Sequence, residues 1–470
     1  MKFRVEVAVE DDAGQTTNRV VVMEKLCDFE KAVSVGLGMT LADGKDLLQA
    51  VQGAYLDAQV ESISQAHSLC VKCKEPMKRK DATQMPYRTM FGKFMLTNER
   101  LSTCGCDDQT KQSFSPLSCA LESHSHPELD YMQVKWASLI PYGQSLELLE
   151  DVLPIEGAIS LTGMKEKMLE IGQRIEKAYG PSKDAAAMPD GAPAEVDETT
   201  KDEEKREVVM VVDAGCIRSN ATTKEEGPRW FGAMAAKTLG PDSRCHAYVQ
   251  KLVDCDGARL AEFIEQREDL SDVALTIITD GGGDVKAASK LPGETHLKIL
   301  DWFHLAMYFQ IILQTATRLK QWLYNETRTV FEEIVHIKWK FWHGQHKAGL
   351  ERLRLLAIWI GLKADTKINE KLSSRLFDLG HYLEDNAAHL VNYAQRYRDG
   401  LPISSATAEA VVNQVISHRF VKKQQMRWTP EGAHALLQVR TAVLNGELSA
   451  HFNRWYPGFA ANDSAYSIAA

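Results

Sequence analysis

The chain lacks several things that would assign it early. No apolar run approaches the length of a bilayer-spanning helix, and Met1-Lys2-Phe3-Arg4 opens onto no signal-peptide core, so no membrane association and a cytoplasmic location are expected. Nine cysteines in 470 residues are too sparse for a disulfide scaffold; in a reducing compartment, clustered ones suggest metal instead. Basic charge is not in excess either: the net charge is −9. That total averages unlike segments. Residues 184–207 hold nine acidic and three basic side chains, and without that net of −6 the remainder carries −3. Local patches, not the sum, decide what such a chain attracts.

What is present is an ordinary globular composition, 44% hydrophobic and 25% charged, in a chain long enough for several structural units. Alternating residues (Phe3, Val5, Val7, Val9; Val20 to Val22) predict a hairpin, and helical spacing from Leu41 to Val60 predicts a helix, together an N-terminal unit 1–66. Residues 67–126 form a cysteine-bearing, basic, loop-rich stretch expected to be zinc-ribbon-like. Residues 127–180 are helical, with breaks at Pro141-Tyr142-Gly143 and Pro154 to Ser160. Residues 181–206, with three prolines and the acidic run, read as a flexible linker and the clearest boundary.

Beyond the linker, Val208-Val209-Met210-Val211-Val212 ends on Asp213 and Val273–Thr279 ends on Asp280. Apolar runs of this length bounded by turns predict strands buried on both faces. Further strands are expected at Trp230–Thr238, Cys245–Asp254 and His296–Leu300, with an amphipathic helix over Gly257–Asp269. The order β-β-β-α-β-α-β over 207–301 is that of the ribonuclease H-like fold. Residues 302–400 are strongly helical and read as an all-α insertion; 401–470 complete the core. The fold class expected is therefore α/β, with a zinc-binding and helical DNA-binding region ahead of it.

Two carboxylates delivered to the carboxyl ends of buried strands suit a divalent cation, because hard cations take oxygen ligands and tolerate like charges side by side. Phosphoryl transfer on two ions needs a third carboxylate. Glu409 is the best placed, in the first turns of a helix expected from Ser404 or Ser405, with Asn413 one turn on; Glu431 and Glu447 compete with it. Taken alone, each Asp is commonly a turn residue and Glu409 a solvated helix residue. The conjunction in this order is what points to an active site.

The set Val-Val-Asp213-Ala-Gly, Thr-Asp280-Gly-Gly-Gly, Leu-Asp301-Trp-Phe-His304 and Ala408-Glu409-Ala-Val-Val-Asn413 resembles the DDE transposases of bacterial insertion sequences, in particular the ISKra-type group related to Mutator-like transposases. Met426-Arg427-Trp428-Thr429-Pro430-Glu431-Gly432-Ala433-His434 is similar to that group's C-terminal block. The resemblance implies a catalytic triad of Asp213, Asp280 and Glu409 on Mg²⁺ or Mn²⁺, with Asp301 and His304 matching an accessory Asp-x-x-His motif. A histidine satisfied at a helix start is the other account of His304, and the two stand level. One departure is Ala214-Gly215-Cys216, where the family often has a Gly-Gly-type turn and an aromatic. The implied partners are double-stranded DNA, as the element's inverted-repeat ends and the target, and at least a second copy of the chain for synapsis, in a nucleoid-associated setting. A non-catalytic DNA-binding regulator and a structure-selective nuclease of the same fold are the alternatives.

Cys70-Val71-Lys72-Cys73 and Cys104-Gly105-Cys106 offer four thiolates for a structural zinc, with Cys119, His67, His124 and His126 as possible substitutes. Around them Lys72, Lys78, Arg79 and Lys80 form a basic run suited to phosphate. Residues 144–178 resemble a helix-turn-helix, with Lys165, Lys167 and Arg174 available to DNA. Arg419, Lys422, Lys423 and Arg427 with Trp428 make a last basic patch free of acid.

Overall fold

The architecture comes from a computed structural model that describes residues 1–10, 14–26, 33, 36–70, 73–102, 104, 106, 113–178, 207–223, 225–240, 243–250, 252, 258–265, 274–282, 296–363, 367–404, 412–420 and 426–459. The chain divides into two compact units, 1–170 with 446–470 and 171–445. Among the described residues no helix is long and apolar enough to cross a membrane.

The first unit is built largely from local pairings. β1 (Lys2–Glu10) and β2 (Thr16–Leu26) form an antiparallel hairpin. Helix α1 (Leu41–Ala66) starts at a reciprocal cap: Asp43 N donates to Thr40 Oγ1 at 3.2 Å and Thr40 N to Asp43 Oδ2 at 3.0 Å. The next stretch departs from expectation, because much of it is strand rather than loop. β3 (Lys78–Thr89) and β4 (Gly92–Ser102) make a long antiparallel hairpin, extended by β5 (Ser113–Phe114). Lys78 to Gln84 are exposed at every position, so no alternation marks them in the sequence. The half nearer the turn buries Met85, Tyr87 and Leu96 against Leu56 and Leu117, while at the open end Leu101 is buried on β4. Helices α2 (Pro116–Ala120), α3 (Pro127–Leu139) and α4 (Tyr142–Val152) follow, and the unit boundary falls within α5 (Leu161–Ala178).

The second unit centres on a five-stranded sheet of β6 (Glu207–Arg218), β7 (Trp230–Thr238), β8 (Cys245–Val249), β9 (Ala274–Thr279) and β10 (His296–Leu300), in spatial order β10-β9-β6-β7-β8. β6 runs parallel to β9, and β9 parallel to β10; β7 and β8 are antiparallel. α6 (Ala258–Glu265) lies in sequence between β8 and β9. Two expected strand ends move. β8 stops at Val249, and β6 does not end on Asp213 but continues to Arg218. The cause is its antiparallel partner: pairs with β7 continue from Asp213↔Ala235 to Arg218↔Trp230, whereas the parallel ladder to β9 ends at Val212↔Thr279.

Period-two alternation sends opposite parities of the central strands to two cores. Met210, Val212, Leu275 and Ile277 pack with Tyr248, Leu260 and Phe263. Val209, Ile278 and Ile299 pack with helices α7 (Trp302–Ala316), α8 (Val330–Trp342), α9 (His346–Leu362), α10 (Lys367–Asp385) and α11 (Tyr393–Arg398), through side chains such as Phe309, Ile337, Leu356 and Leu376. Residues 302–400, expected as an all-α insertion, are mostly helical where described, with a turn before α8 closed by the Leu323–Thr329 bridge, and their helices cover one face of the sheet.

Past the insertion, residues 412–420 contain a π-helical turn, Asn413–Ser417, before α12 (Pro430–Leu444). Ten consecutive residues of α12, Ala433 to Ala442, are buried. Its polar side chains complete the edge strand β8: Val249 N donates to His434 Nδ1 (3.2 Å), Gln438 to Ala247 O (2.9 Å), and Asn445 bonds both backbone groups of Cys245 (2.8 and 2.9 Å). A helix thereby satisfies backbone groups that an open sheet edge would leave exposed. α13 (Leu448–Trp455) belongs to the first unit, where Phe452 meets Tyr131 edge-on at 5.3 Å.

Candidate functional site

Register brings three carboxylates to one level. Val212 pairs with Thr279 and Thr279 with Leu300, so the next residue of each chain segment is an aspartate: Asp213, Asp280, Asp301. The three share the parity of Val211, Ile278 and Ile299, the face covered by the helical insertion. Their fields interact. Burial first, and then Asp280, push the Asp213 carboxyl from its ordinary 3.8 up to about 6, against the pull of the Ala214 N–H that donates to it at 2.7 Å.

The three carboxylates are not equivalent. Asp301 is fully buried and already engaged: it caps α7, accepting from Phe303 N at 2.8 Å and from His304 Nδ1 at 2.5 Å. That bond raises the His304 pKa, with Asp213 and Asp280 adding to it. His304 is therefore both a satisfied histidine at a helix start and a group within the field of the paired aspartates. Among the described residues Asp213 and Asp280 each accept a single backbone N–H, Asp280 from Gly282 at 2.9 Å, and their remaining oxygens are of the kind that suits a hard divalent ion.

Residues that spacing could not single out hold this geometry. Tyr382 of α10 donates to Asp280 O at 2.6 Å, and Tyr393 of α11 donates to Leu300 O at 2.8 Å. Each fixes the backbone where a strand delivers its aspartate. Gly281 turns the chain at φ +70°, and a Cβ there would meet Asn386 Oδ1 at 2.5 Å. On β6, Gly215 lies two residues beyond Asp213. A Cβ there would come within 3.0 Å of Ile416 and 3.3 Å of Val412, so the segment with the π-helical turn packs directly on this strand. Asn413 opens that turn, half-buried, and buried Arg440 donates to the carbonyls of Val415 (2.8 Å) and Gln414. π-helical turns often mark functional sites. Glu409 lies outside the described residues.

In the first unit the four expected cysteines converge. The Sγ atoms of Cys70, Cys73, Cys104 and Cys106 all lie within 4.8 Å of one another, with Cys70 to Cys106 at 3.6 Å, Cys73 to Cys104 at 3.5 Å, and Cys104 closer to Cys70 (2.9 Å) and Cys106 (2.7 Å) than a bound ion would leave them. Tetrahedral zinc with four sulfurs at its usual bond length needs sulfur separations of about 3.8 Å. The cluster can hold such an ion. Hairpin geometry explains it: Lys78↔Ser102 closes the ladder just inside both cysteine pairs. The first pair folds back on itself, with Lys74 N donating to Cys70 O, Cys70 N to Glu75 O, and Lys74 at φ +59°. Thiols this close share protons, and hydrogen bonds to Cys104 and then Cys70 push the Cys106 thiol up to about 12. A cation that takes all four as thiolates removes that conflict.

The basic residues divide. Lys78 and Lys80 are exposed on the hairpin, while Arg79 pairs with Glu99 at 3.1 Å. Lys165 lies over the Tyr142 ring and Arg174 is half-buried. Lys167, expected to face DNA, instead holds the buried Asp130 at 3.1 Å and Glu170 at 2.8 Å. Arg419 is likewise corrected: it is fully buried, its guanidinium 5.1 Å from the Trp428 ring, because this residue sits under the indole rather than on the surface. Arg427 is exposed; Lys72, Lys422 and Lys423 lie outside the described residues.

No protein-family model and no curated protein matches the chain. Among solved structures it is similar to the strand transfer complex of the Drosophila P element transposase, at 10% identity and a TM-score of 0.25, over 72% of this chain and 82% of that one. A likeness at that score carries no argument about fold or chemistry.

Proposed function

We propose that this chain is a DDE transposase with a ribonuclease H-like catalytic core, of the ISKra-type group. It binds the inverted-repeat ends of its own element, cleaves a phosphodiester there and joins the released 3′-hydroxyl to target DNA. The observation that carries the reading is the alignment of Asp213 and Asp280 on adjacent parallel strands, in a sheet ordered β10-β9-β6-β7-β8.

Asp213 and Asp280 would hold divalent cations, Mg²⁺ or Mn²⁺, and Glu409 would complete the set. The packing of Val412 and Ile416 on Gly215 supports that assignment, since it ties the segment following Glu409 to the Asp213 strand. When bound, such ions neutralise charge that develops on the phosphoryl oxygens and activate the attacking hydroxyl. The chain's own residues supply position: Tyr382 holds the end of β9 at Asp280, Tyr393 the end of β10 ahead of Asp301, and Asp301 orients His304. Zinc at the four cysteines would order the hairpin that carries Lys78 and Lys80 toward DNA phosphates. Synapsis of two ends requires at least a dimer.

The test is end cleavage and strand transfer with Mg²⁺ or Mn²⁺, on the inverted repeats that flank the coding region. Asp213→Ala should abolish both steps while end binding persists. Undiminished cleavage by that variant sinks the assignment. Cleavage with no joined product would make the protein a nuclease, and binding with no cleavage by the wild type would make it a regulator.

A further inference from the structure

Helix α7, Trp302–Ala316, carries no acidic or basic side chain except His304. One residue in four of the whole chain is charged, so fifteen residues with no Asp, Glu, Lys or Arg need a reason. Burial is not that reason. Leu305, Phe309, Ile312 and Ala316 form the buried stripe, but Met307, Tyr308 and Ile311 are 44%, 44% and 41% exposed. His304, Met307, Tyr308 and Ile311 recur at helical spacing and share one face. That face leaves the Asp301–His304 pair and runs for roughly 10 Å at the helical rise. It is also joined to the carboxylate site sideways. The Tyr308 ring lies 4.9 Å from that of Tyr382, the residue whose hydroxyl donates to Asp280 O.

We propose that this face of α7 is a stacking surface for unpaired bases of the DNA strand whose phosphate the aspartates hold. The inference rests on the transposase reading and adds a ligand class to it. A phosphate backbone laid along the face would meet His304 at its start and, at its far end, an Arg375 guanidinium already engaged by Ile311 O and Thr315 Oγ1, with no cationic side chain of α7 between them. Unpaired bases offer uncharged π faces, which an exposed tyrosine ring flanked by Met307 and Ile311 complements. Stacking of this kind tolerates any base sequence, since every base has a π face. Continuity with the aspartate site selects the strand being processed over a second copy of the chain.

The experiment uses the full chain with two probes: a short mixed-sequence single strand carrying one 2-aminopurine, and the same sequence as a blunt duplex. The wild type should bind the single strand and change the 2-aminopurine fluorescence. Tyr308→Ala should remove that change and weaken single-strand binding roughly five- to hundred-fold, the range for loss of one stacked base. Duplex affinity should stay as it was. Tyr397→Ala, which removes an exposed tyrosine of the same unit outside this face, should leave both affinities unchanged. Binding is the readout because loss of the Tyr308–Tyr382 contact could alter cleavage indirectly. Unchanged single-strand affinity in folded Tyr308→Ala overturns the inference, as does a change in its oligomeric state without a change in DNA affinity. Wild-type binding to the duplex separates the two levels: if that binding and end cleavage persist while Tyr308→Ala has no effect, only the stacking surface falls. If the wild type binds neither probe, the transposase reading falls with it.

Discussion

The cysteine cluster that can hold a metal and the aspartates proposed to hold one are assembled in opposite ways. The four cysteines come from two short sequence pairs brought together by one hairpin, and all four sulfurs are among the described residues. The carboxylates come from separate strands 67 residues apart, Asp213 and Asp280, and the backbone of Asp280 is held by the Tyr382 hydroxyl from a helix a further hundred residues on. The first is a local device whose failure should stay local. The second is a product of the whole fold of its unit, and its failure can be chemical without being structural.

Removing metal from the cysteine cluster should have the largest effect on structure. The described residues of 67–78 and 102–106 bury no apolar side chain, so a bound ion would be the main source of order there. Chelation, or Cys73→Ser, should release zinc in a one-to-one ratio and abolish hydrogen-exchange protection at the open end of the β3–β4 hairpin. Protection in β6 and β9 should persist. Simultaneous loss of protection in both would break the contrast between a local and a global site.

Asp213→Ala should act the other way, leaving stability near or above the wild type while end cleavage falls roughly a thousand-fold or more, several kcal/mol of transition-state stabilisation. Parallel measurement of thermal unfolding and single-turnover cleavage reads both. A folded variant that keeps its cleavage rate would remove Asp213 from the chemistry.

The same residue gives a pH test. Its folded pKa is raised, to about 6, so the folded state binds the proton more tightly than the unfolded chain does. This group therefore favours folding most below about pH 4, and that contribution is lost as pH rises through 6, by on the order of 3 kcal/mol at most. Without divalent cation, Asp213→Asn should raise the thermal midpoint at pH 7.5 and change it little at pH 4. Added Mg²⁺ should stabilise the wild type at pH 7.5 and not the variant. An equal shift at both pH values would show that burial of this carboxylate is not what costs stability.

The contrast also explains what could be read in advance. Cysteine spacing is a local signal, and the apolar runs before Asp213 and Asp280 are as well, so the cluster's members and the central strands were legible. The extension of β6 past Asp213 was not, because it depends on which partner strand continues. Nor was the β3–β4 hairpin, whose exposed half from Lys78 to Gln84 has no inside to alternate with. Arg419 and Lys167 looked like surface because a cationic side chain gives no sequence sign of the indole or carboxylate that will cover it. Tyr382 and Tyr393 carried no motif at all: their role exists only where α10 and α11 reach the strand ends.

Tyr382→Phe asks how far that positioning matters and should have the smallest effect. The change keeps the ring and its contact with Tyr308 but deletes the hydroxyl that donates to Asp280 O. One hydrogen bond of this kind contributes about 1 kcal/mol, so the thermal midpoint should fall by a few degrees at most. Cleavage should fall several-fold with end affinity unchanged, because the backbone carrying Asp280 gains freedom without losing its carboxylate. A loss as deep as that of Asp213→Ala would mean that the hydroxyl itself touches the reacting phosphate. No change at all would mean that the Gly281 turn and the β9 ladder already fix Asp280, and that the helical insertion contributes only burial to the site.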